Sequence, residues 1–441
     1  MYPTISEFLK DVFGINIPLP IQSYGFFVAI AFLLGILVLV KEMKRKERQG
    51  LFKSTEKKIL TGEPARAKDL IFSGLIGFII GYKLFDAVFR YSEFVKNPGE
   101  FILSAQGNFI GGIIIAAISI YLTVREKNKH KLDKPVWQNK QIFPHELAGH
   151  ILFIAGIVGL LGAKIFHNLE NWDDLVADPW GSLLSFSGLS FLGGLLLAGA
   201  AIIWFAVKRN ISVIHLADAA AVVMPLGYAI GRIGCQVSGD GCWGVYNEAF
   251  AAPGTIPAAA IQLGHVASFA PPEWLSFLPD WMFAYNYPHN INNEGIEIAN
   301  CATGGIWEHC HVLPAPVFPT PFYETTLMLI VFFVLYGIRK RIKTPGLLFT
   351  LYFILAGIER FFIEKIRVNN VYKIGNIEIT QAELISLIMI LVGIAALIFL
   401  LKNKEKMINK FGDSSKAETK CTRLKVFFFD YLPVFFYLFK I

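Results

Sequence analysis

Arg232 stands at the head of GRIGCQVSGDGCWG (231–244), a segment with five glycines, two cysteines and an aspartate at the end of a long apolar stretch. A second charged group, Glu359, Arg360, Glu364 and Arg367, lies in LLFTLYFILAGIERFFIEKIR (347–367). Arg360 and Glu364 are four residues apart and share a helix face. Ionisable residues inside apolar runs are costly and point at partners or polar cavities. One reading is an Arg–Glu pair that fixes helix packing. The other is a polar pocket in which Arg232 and Arg360 face one anion near the outer leaflet. A guanidinium forks well onto phosphate and stays charged when desolvated. The glycines after Arg232 let backbone amides approach the same anion. Taken alone, these residues describe a site for a lipid phosphate.

The elements that must hold them are membrane helices. The 441-residue chain is 54% hydrophobic and 17% charged, and several runs reach the roughly 20 apolar residues that cross about 30 Å of hydrocarbon. Nine runs are expected: about 24–40, 70–89, 108–124, 150–166, 185–207, 214–230, 322–338, 345–365 and 380–401. The sixth carries Asp218 and Pro225, so it reads either as a span or as a re-entrant, broken element. The start, MYPTISEFLKDVFG, lacks the basic region and cleavage site of a removable signal peptide. Alternating spans place every basic loop on one side and the loops without Lys or Arg on the other. The 41–68 loop holds ten basic residues against four acidic, and 125–140, 208–210, 339–343 and 402–410 are also basic. Segments 167–180 and 245–321 contain no Lys or Arg. The positive-inside rule then puts the N-terminus outside and the C-terminus in the cytoplasm. The expected fold is an all-α polytopic membrane protein with an irregular outer head at 245–321. Its embedded domain covers 1–401, and a basic cytoplasmic tail with an aromatic end covers 402–441. The net charge of +7 is assigned to anionic lipid, not to nucleic acid.

An internal repeat runs through the first half. GYKLF (81–85) matches GAKIF (162–166), and NPGEFILSAQGNFIGG (97–112) parallels DPWGSLLSFSGLSFLGG (178–194). Segment 70–124 therefore reads as a duplicated helix pair relative to 150–207. The glycines suit close helix packing. Lys83, Asp86 and Lys164, near the ends of their spans, are expected to snorkel or to pair with a neighbour. Four cysteines fall on the outer side, Cys235, Cys242, Cys301 and Cys310, and allow three pairings. Cys301–Cys310, which closes a short loop, is the first choice. The nearby His289, His309 and His311 fit no standard zinc spacing, so no metal is expected.

Beyond this point the residues resemble a known family. GRIGCQVSGDGCWG resembles the signature of the bacterial prolipoprotein diacylglyceryl transferases, a Gly-Arg-x-Gly start with an aromatic and Gly at the end. QSYGFF (22–27) resembles the family's early Tyr-Gly, and ADPWGSLLSFSGLSFLGG its Asp-Pro loop and paired glycine. FPTPFYE (318–324) resembles its Pro-x-x-x-Tyr-Glu motif, ERFFIEKIR its Arg-x-x-x-Glu motif, and TQAELISLIMILVG the start of its last span. The resemblance covers about 24–40 and 150–401 in the family's order.

The resemblance implies transfer of the diacylglyceryl group of phosphatidylglycerol to the lipobox cysteine thiol of a prolipoprotein, in the bacterial inner membrane. A thioether forms, glycerol phosphate is released, and no cofactor is needed. It assigns lipid-phosphate binding to Arg232 and a second polar cluster to Arg360 and Glu364. Tyr24 would line the lipid pocket, Asp240 and Gly244 would shape the adjoining loop, and Tyr323 and Glu324 the opposing helix entrance. The chain departs from the pattern at Leu192 and Phe318, where the family often has histidines, and its signature is one residue longer. Tyr24, Asp240 and Glu364 then remain as thiol bases, alongside direct lowering of the thiol pKa by the arginines. His215 and Asp218 are further base candidates, though such residues are more often structural, and two other classes stay open, a non-catalytic lipid-binding relative and a small-anion transporter.

Overall fold

The computed structural model describes residues 1–17, 21–96, 101–102, 104–129, 131–132, 135–184, 190–301, 307, 309–369, 371–374 and 377–411. The aromatic tail at 425–441 and the start of the expected 185–207 span lie outside these described residues. The principal helices are α1 (Ile5–Phe13), α2 (Ser23–Arg48), α3 (Ala67–Phe89), α4 (Phe109–Lys129), α5 (Ala148–Glu170), α6 (Phe191–Lys208), α7 (Val213–Ser238), α8 (Thr320–Ile338), α9 (Leu347–Glu364) and α10 (Gln381–Lys402). Seven helical segments among the described residues are long and apolar enough to cross a membrane. They contain α2, α3, α4, α5, α7, α8 and α10; α6 is apolar but shorter. Expected run five overlaps α6 and run eight overlaps α9, and neither helix is among these seven.

The chain divides into two compact units, one of 1–17, 21–53 and 206–441, the other of 18–20 and 54–205. In the first, α7 packs against α2, α8 and α9, and α9 packs against α10. Of the seven spans α7 is the most enclosed, with 56% of its apolar window buried against 33% or less for the others. Its enclosure accommodates the buried polar side chains of His215 and Asp218, which meet protein, not lipid. The helix runs unbroken through Pro225, which is itself fully buried. The helices interlock through Ala221, Val222 and Ala229 of α7, Met328, Val331, Phe332 and Leu335 of α8, and Leu348 and Ala356 of α9.

Buried charges close one end of this bundle. Asp218 accepts from the Gly346 and Phe349 amides at 3.0 and 3.1 Å, satisfying orphan donors at the start of α9, and pairs with Lys46 at 3.5 Å. Glu42 pairs with Arg45 and, at 3.2 Å, with Arg339. His215 meets the Phe411 carbonyl at 2.9 Å. The basic segments 41–48 and 339–343 gather at this end, and the segment containing Arg232 lies at the opposite one.

From that opposite end rises the head, 239–319, irregular and built on Trp243, Tyr287, Leu313 and Val317. Two fully buried asparagines serve as its internal braces. Asn247 donates to the Phe269 and Phe283 carbonyls at 3.0 and 3.2 Å; Asn290 donates to the Glu294 carbonyl at 2.9 Å. Each supplies the bonds a loop lacks without a ladder. Cys301 and Cys310 are joined by a disulfide. His289 stacks on Trp307 at 4.0 Å and bonds the His309 carbonyl at 2.8 Å, while His309 meets the Asn293 amide oxygen at 3.3 Å.

In the second unit α3 packs against α4. A Cβ on Gly81 would lie 2.3 Å from the Gly111 carbonyl oxygen, and one on Gly111 would meet Phe85 at 2.3 Å. The α5–α6 pair repeats the arrangement: Gly162 against the Gly193 oxygen at 2.6 Å, Gly193 against Phe166 at 2.3 Å. The matched positions of the sequence repeat are thus matched contacts, where only hydrogen fits between two backbones. Lys83 donates to the Phe101, Ser104 and Gln106 carbonyls at 2.9, 2.5 and 2.7 Å, pinning the loop beyond its helix, and Asp86 pairs with Arg90. Segments Thr55–Thr61 and Val136–Ile142 form an antiparallel ribbon. Both are parts of basic loops that carried no strand expectation.

Candidate active site

At the head end of α7, α8 and α9, one carboxylate gathers three guanidiniums. Glu324, in the second turn of α8, is fully buried. It pairs with Arg232 Nε of α7, with Arg360 Nη1 of α9 at 3.3 Å, and with Arg367 Nη1 at 3.2 Å. Arg232 also donates to the Tyr228 hydroxyl at 3.2 Å and to Cys235 Sγ at 3.8 Å, and its guanidinium lies 5.1 Å from the Tyr228 ring centre. A guanidinium has five N–H donors, and two of those of Arg232 make hydrogen bonds here, to Tyr228 and Cys235. The Arg232 and Arg360 side chains keep 17% and 27% exposure while Glu324 keeps none. The cluster is therefore open from the arginine side.

A second carboxylate orients Arg360. Glu364 pairs with Arg360 Nη2 at 2.8 Å and accepts hydrogen bonds from Asn369 Nδ2 at 2.6 Å and Thr380 Oγ1 at 2.9 Å. Thr380 is the N-cap of α10, with Glu383 completing its capping box, so α10 is tied to the site through its N-cap. Glu359, one residue before Arg360, is buried with no hydrogen-bond partner for its Oε1.

Arg367 lies beyond the end of α9 and is placed by backbone pairing. Gly244 forms an antiparallel bridge with Arg367, and the Val245 amide donates to the Ile366 carbonyl at 2.9 Å. A Cβ at Gly244 would sit 2.4 Å from that Ile366 oxygen. Only glycine admits this approach, which gives the loop residue a direct part in positioning an arginine. Asp240 accepts from the Cys242 amide at 3.2 Å, holding a turn whose glycines 239 and 241 have φ of 63° and 84°. Tyr24, half-exposed at the start of α2, packs on Gly234, where a Cβ would be 3.2 Å from the Tyr24 Cα.

The structure therefore brings Arg232, Arg360, Glu364 and Glu324 together, with Gly244 beneath Arg367 and Tyr24 beside the helix carrying Arg232. Tyr323 is placed elsewhere: its hydroxyl donates to the Met282 carbonyl at 2.7 Å and ties α8 to the head. Phe318 is buried, and its carbonyl accepts the Gly244 amide at 2.9 Å. Leu192 belongs to the second unit. Tyr228, Asn369 and Thr380 were not singled out from sequence. Tyr228 stands four residues before Arg232, a helical neighbour by spacing, and the T-x-x-E of 380–383 is a capping signature.

Apolar helices of spanning length, closed at one end by buried ion pairs and at the other by an arginine-rich cluster under a folded head, define a multi-pass membrane protein. The family model for prolipoprotein diacylglyceryl transferase matches residues 10–143 and again 131–399. Proteins named phosphatidylglycerol–prolipoprotein diacylglyceryl transferase are among its relatives. That of Leptospira interrogans is 27% identical over 290 residues, covering 55% of this chain and 76% of the relative. The one from Lysinibacillus sphaericus is 26% identical, with 59% and 79% covered, and the one from Oceanobacillus iheyensis 26%, with 69% and 86%. The chain belongs to the prolipoprotein diacylglyceryl transferase family, a family of transferases. Its two overlapping matches each take in one copy of the repeated helix pair.

Proposed function

We propose that the protein transfers the diacylglyceryl group of phosphatidylglycerol to the lipobox cysteine thiol of prolipoproteins, with its site at the outer face of the bacterial inner membrane. The observation that carries this reading is the set of three guanidiniums converging on Glu324. The thiolate attacks the glycerol carbon bonded to phosphate; the C–S bond forms, the C–O bond breaks, and the electron pair leaves with the phosphate. A phosphodiester with one negative charge thereby becomes a monoester that carries about −1.5 to −2 near neutral pH. Charge concentrates on the phosphate as the barrier is crossed, and Arg232 and Arg360 are preorganised for it. Groups of this kind contribute about 2.7–4 kcal/mol each at the transition state. The same positive field favours the acceptor's thiolate over its thiol. Arg232 binds the phosphate, Glu364 orients Arg360, Gly244 positions Arg367, Asp240 holds the loop turn, and Tyr24 lines the lipid side.

Leu192 and Phe318 support a second reading, a relative that binds the lipid without turnover. Incubating the purified protein with phosphatidylglycerol and a lipobox peptide separates the two. Glycerol phosphate release that needs the peptide thiol supports transfer, whereas lipid binding without release supports the second reading.

A further inference from the structure

Cys235 and Cys242 stand apart from the proposed transfer, yet they are not scattered. Cys235 is buried in the last turn of α7, and Cys242 is partly exposed in the loop that follows. Their sulfurs and an Asp240 oxygen all lie within 4.8 Å of one another. The loop between them turns at Gly239 and Gly241, both with positive φ, and is anchored by the Thr320 hydroxyl donating to the Cys242 carbonyl at 2.6 Å. The head at the same helix end already holds the Cys301–Cys310 disulfide, the mark of an oxidising compartment.

We propose that Cys235 and Cys242 form a second, redox-convertible disulfide site that staples the loop carrying Asp240 and Gly244 to the helix carrying Arg232. The rival use of the same atoms is a divalent metal held by two thiolates and Asp240. The Arg232 guanidinium, 3.8 Å from Cys235 Sγ, opposes a cation there, and three ligands fall short of a closed structural zinc site. A guanidinium suits thiol–disulfide chemistry, because it stabilises the thiolate that must form.

The reaction is exchange with an external disulfide. The Cys242 thiol, partly exposed and held below its ordinary pKa by hydrogen bonding from Cys235, attacks one sulfur of the oxidant. The first external thiol leaves, and a mixed disulfide remains. The Cys235 sulfur then attacks Cys242 Sγ and releases the second thiol. Two enzyme thiols and one external disulfide become one enzyme disulfide and two external thiols, with both protons carried away on the products. Closure converts Cys235 Sγ from a thiol beside Arg232 into a neutral disulfide sulfur.

The test uses the full chain, purified and equilibrated with oxidised glutathione, freed of it, denatured and alkylated. The sequence has five cysteines. Two disulfides leave one alkylated thiol, Cys421, and peptide mapping finds 235 linked to 242; reduction with dithiothreitol before alkylation raises the count to five. Thermal unfolding of the oxidised protein shifts upward relative to protein in which this pair is selectively reduced, and Cys242→Ser removes the shift. Three alkylated thiols after the glutathione treatment overturn the proposal. So does a stoichiometric metal in the purified protein that is lost in Cys242→Ser. Neither result bears on phosphatidylglycerol turnover.

Discussion

Replacing Glu324 by glutamine keeps the shape of the side chain and removes the charge on which three arginines converge. Arg360 retains Glu364 at 2.8 Å, so the guanidiniums left without a carboxylate are Arg232 and Arg367. At an effective dielectric constant of 20, two charges 4 Å apart interact by about 4 kcal/mol. Removing one partner of a buried pair typically costs about 3–5 kcal/mol. Glu324→Gln is therefore expected to lose stability in that range. Arg232→Ala behaves differently. It leaves Glu324 paired with Arg360 and Arg367 at 3.3 and 3.2 Å, strands no buried charge, and removes a group placed to meet the developing phosphate charge. Its cost should fall on the rate, about 10²–10³-fold, with a much smaller loss of stability. Both variants are measured in nanodiscs, by thermal unfolding followed through tryptophan fluorescence and by glycerol phosphate release. Glu324→Gln melting like the parent protein while Arg232→Ala unfolds early would contradict these roles.

Four further substitutions test one approach at the site and the packing elsewhere in each unit. Gly244→Ala puts a methyl group 2.4 Å from the Ile366 carbonyl oxygen and should displace Arg367, lowering glycerol phosphate release at least about tenfold, by comparison with a small misplacement of catalytic groups. Gly81→Ala and Gly162→Ala push apart equivalent helix pairs, and each should destabilise the protein by about 1–3 kcal/mol; thermal unfolding of the two should agree if the copies pack alike. Asp218→Asn weakens the bonds that start α9 and leaves Lys46 without its carboxylate partner. A loss of about 3–5 kcal/mol is expected, in line with other broken buried pairs, and unfolding unchanged from the parent would contradict the role given to Asp218.

Hydropathy located the helices because lipid exposure demands apolar side chains, while in α7, the most enclosed span, Asp218 and Pro225 interrupt the apolar run. Arg232, Arg360 and Glu364 were legible because charge inside an apolar run is rare and an i, i+4 spacing is local. Glu324 was legible as a motif residue, but its position at the centre of three arginines depends on the approach of α7, α8 and α9. Arg367 was harder to place: it lies past the helix end, and only its pairing with Gly244, more than a hundred residues earlier, brings it back. The Thr55–Thr61 ribbon partner at Val136–Ile142 was hidden for the same reason. Long-range backbone pairing leaves little local pattern. Tyr323 shows the converse limit, a motif residue whose hydroxyl is committed to the Met282 carbonyl.

Turnover at the arginine cluster is tested most directly by glycerol phosphate release from the purified full chain in phosphatidylglycerol vesicles with a lipobox peptide. The predicted result is release that disappears with a Cys-to-Ser peptide and falls about 10²–10³-fold in Arg232→Ala. No release by the parent protein, with phosphatidylglycerol still bound through Arg232, would contradict it.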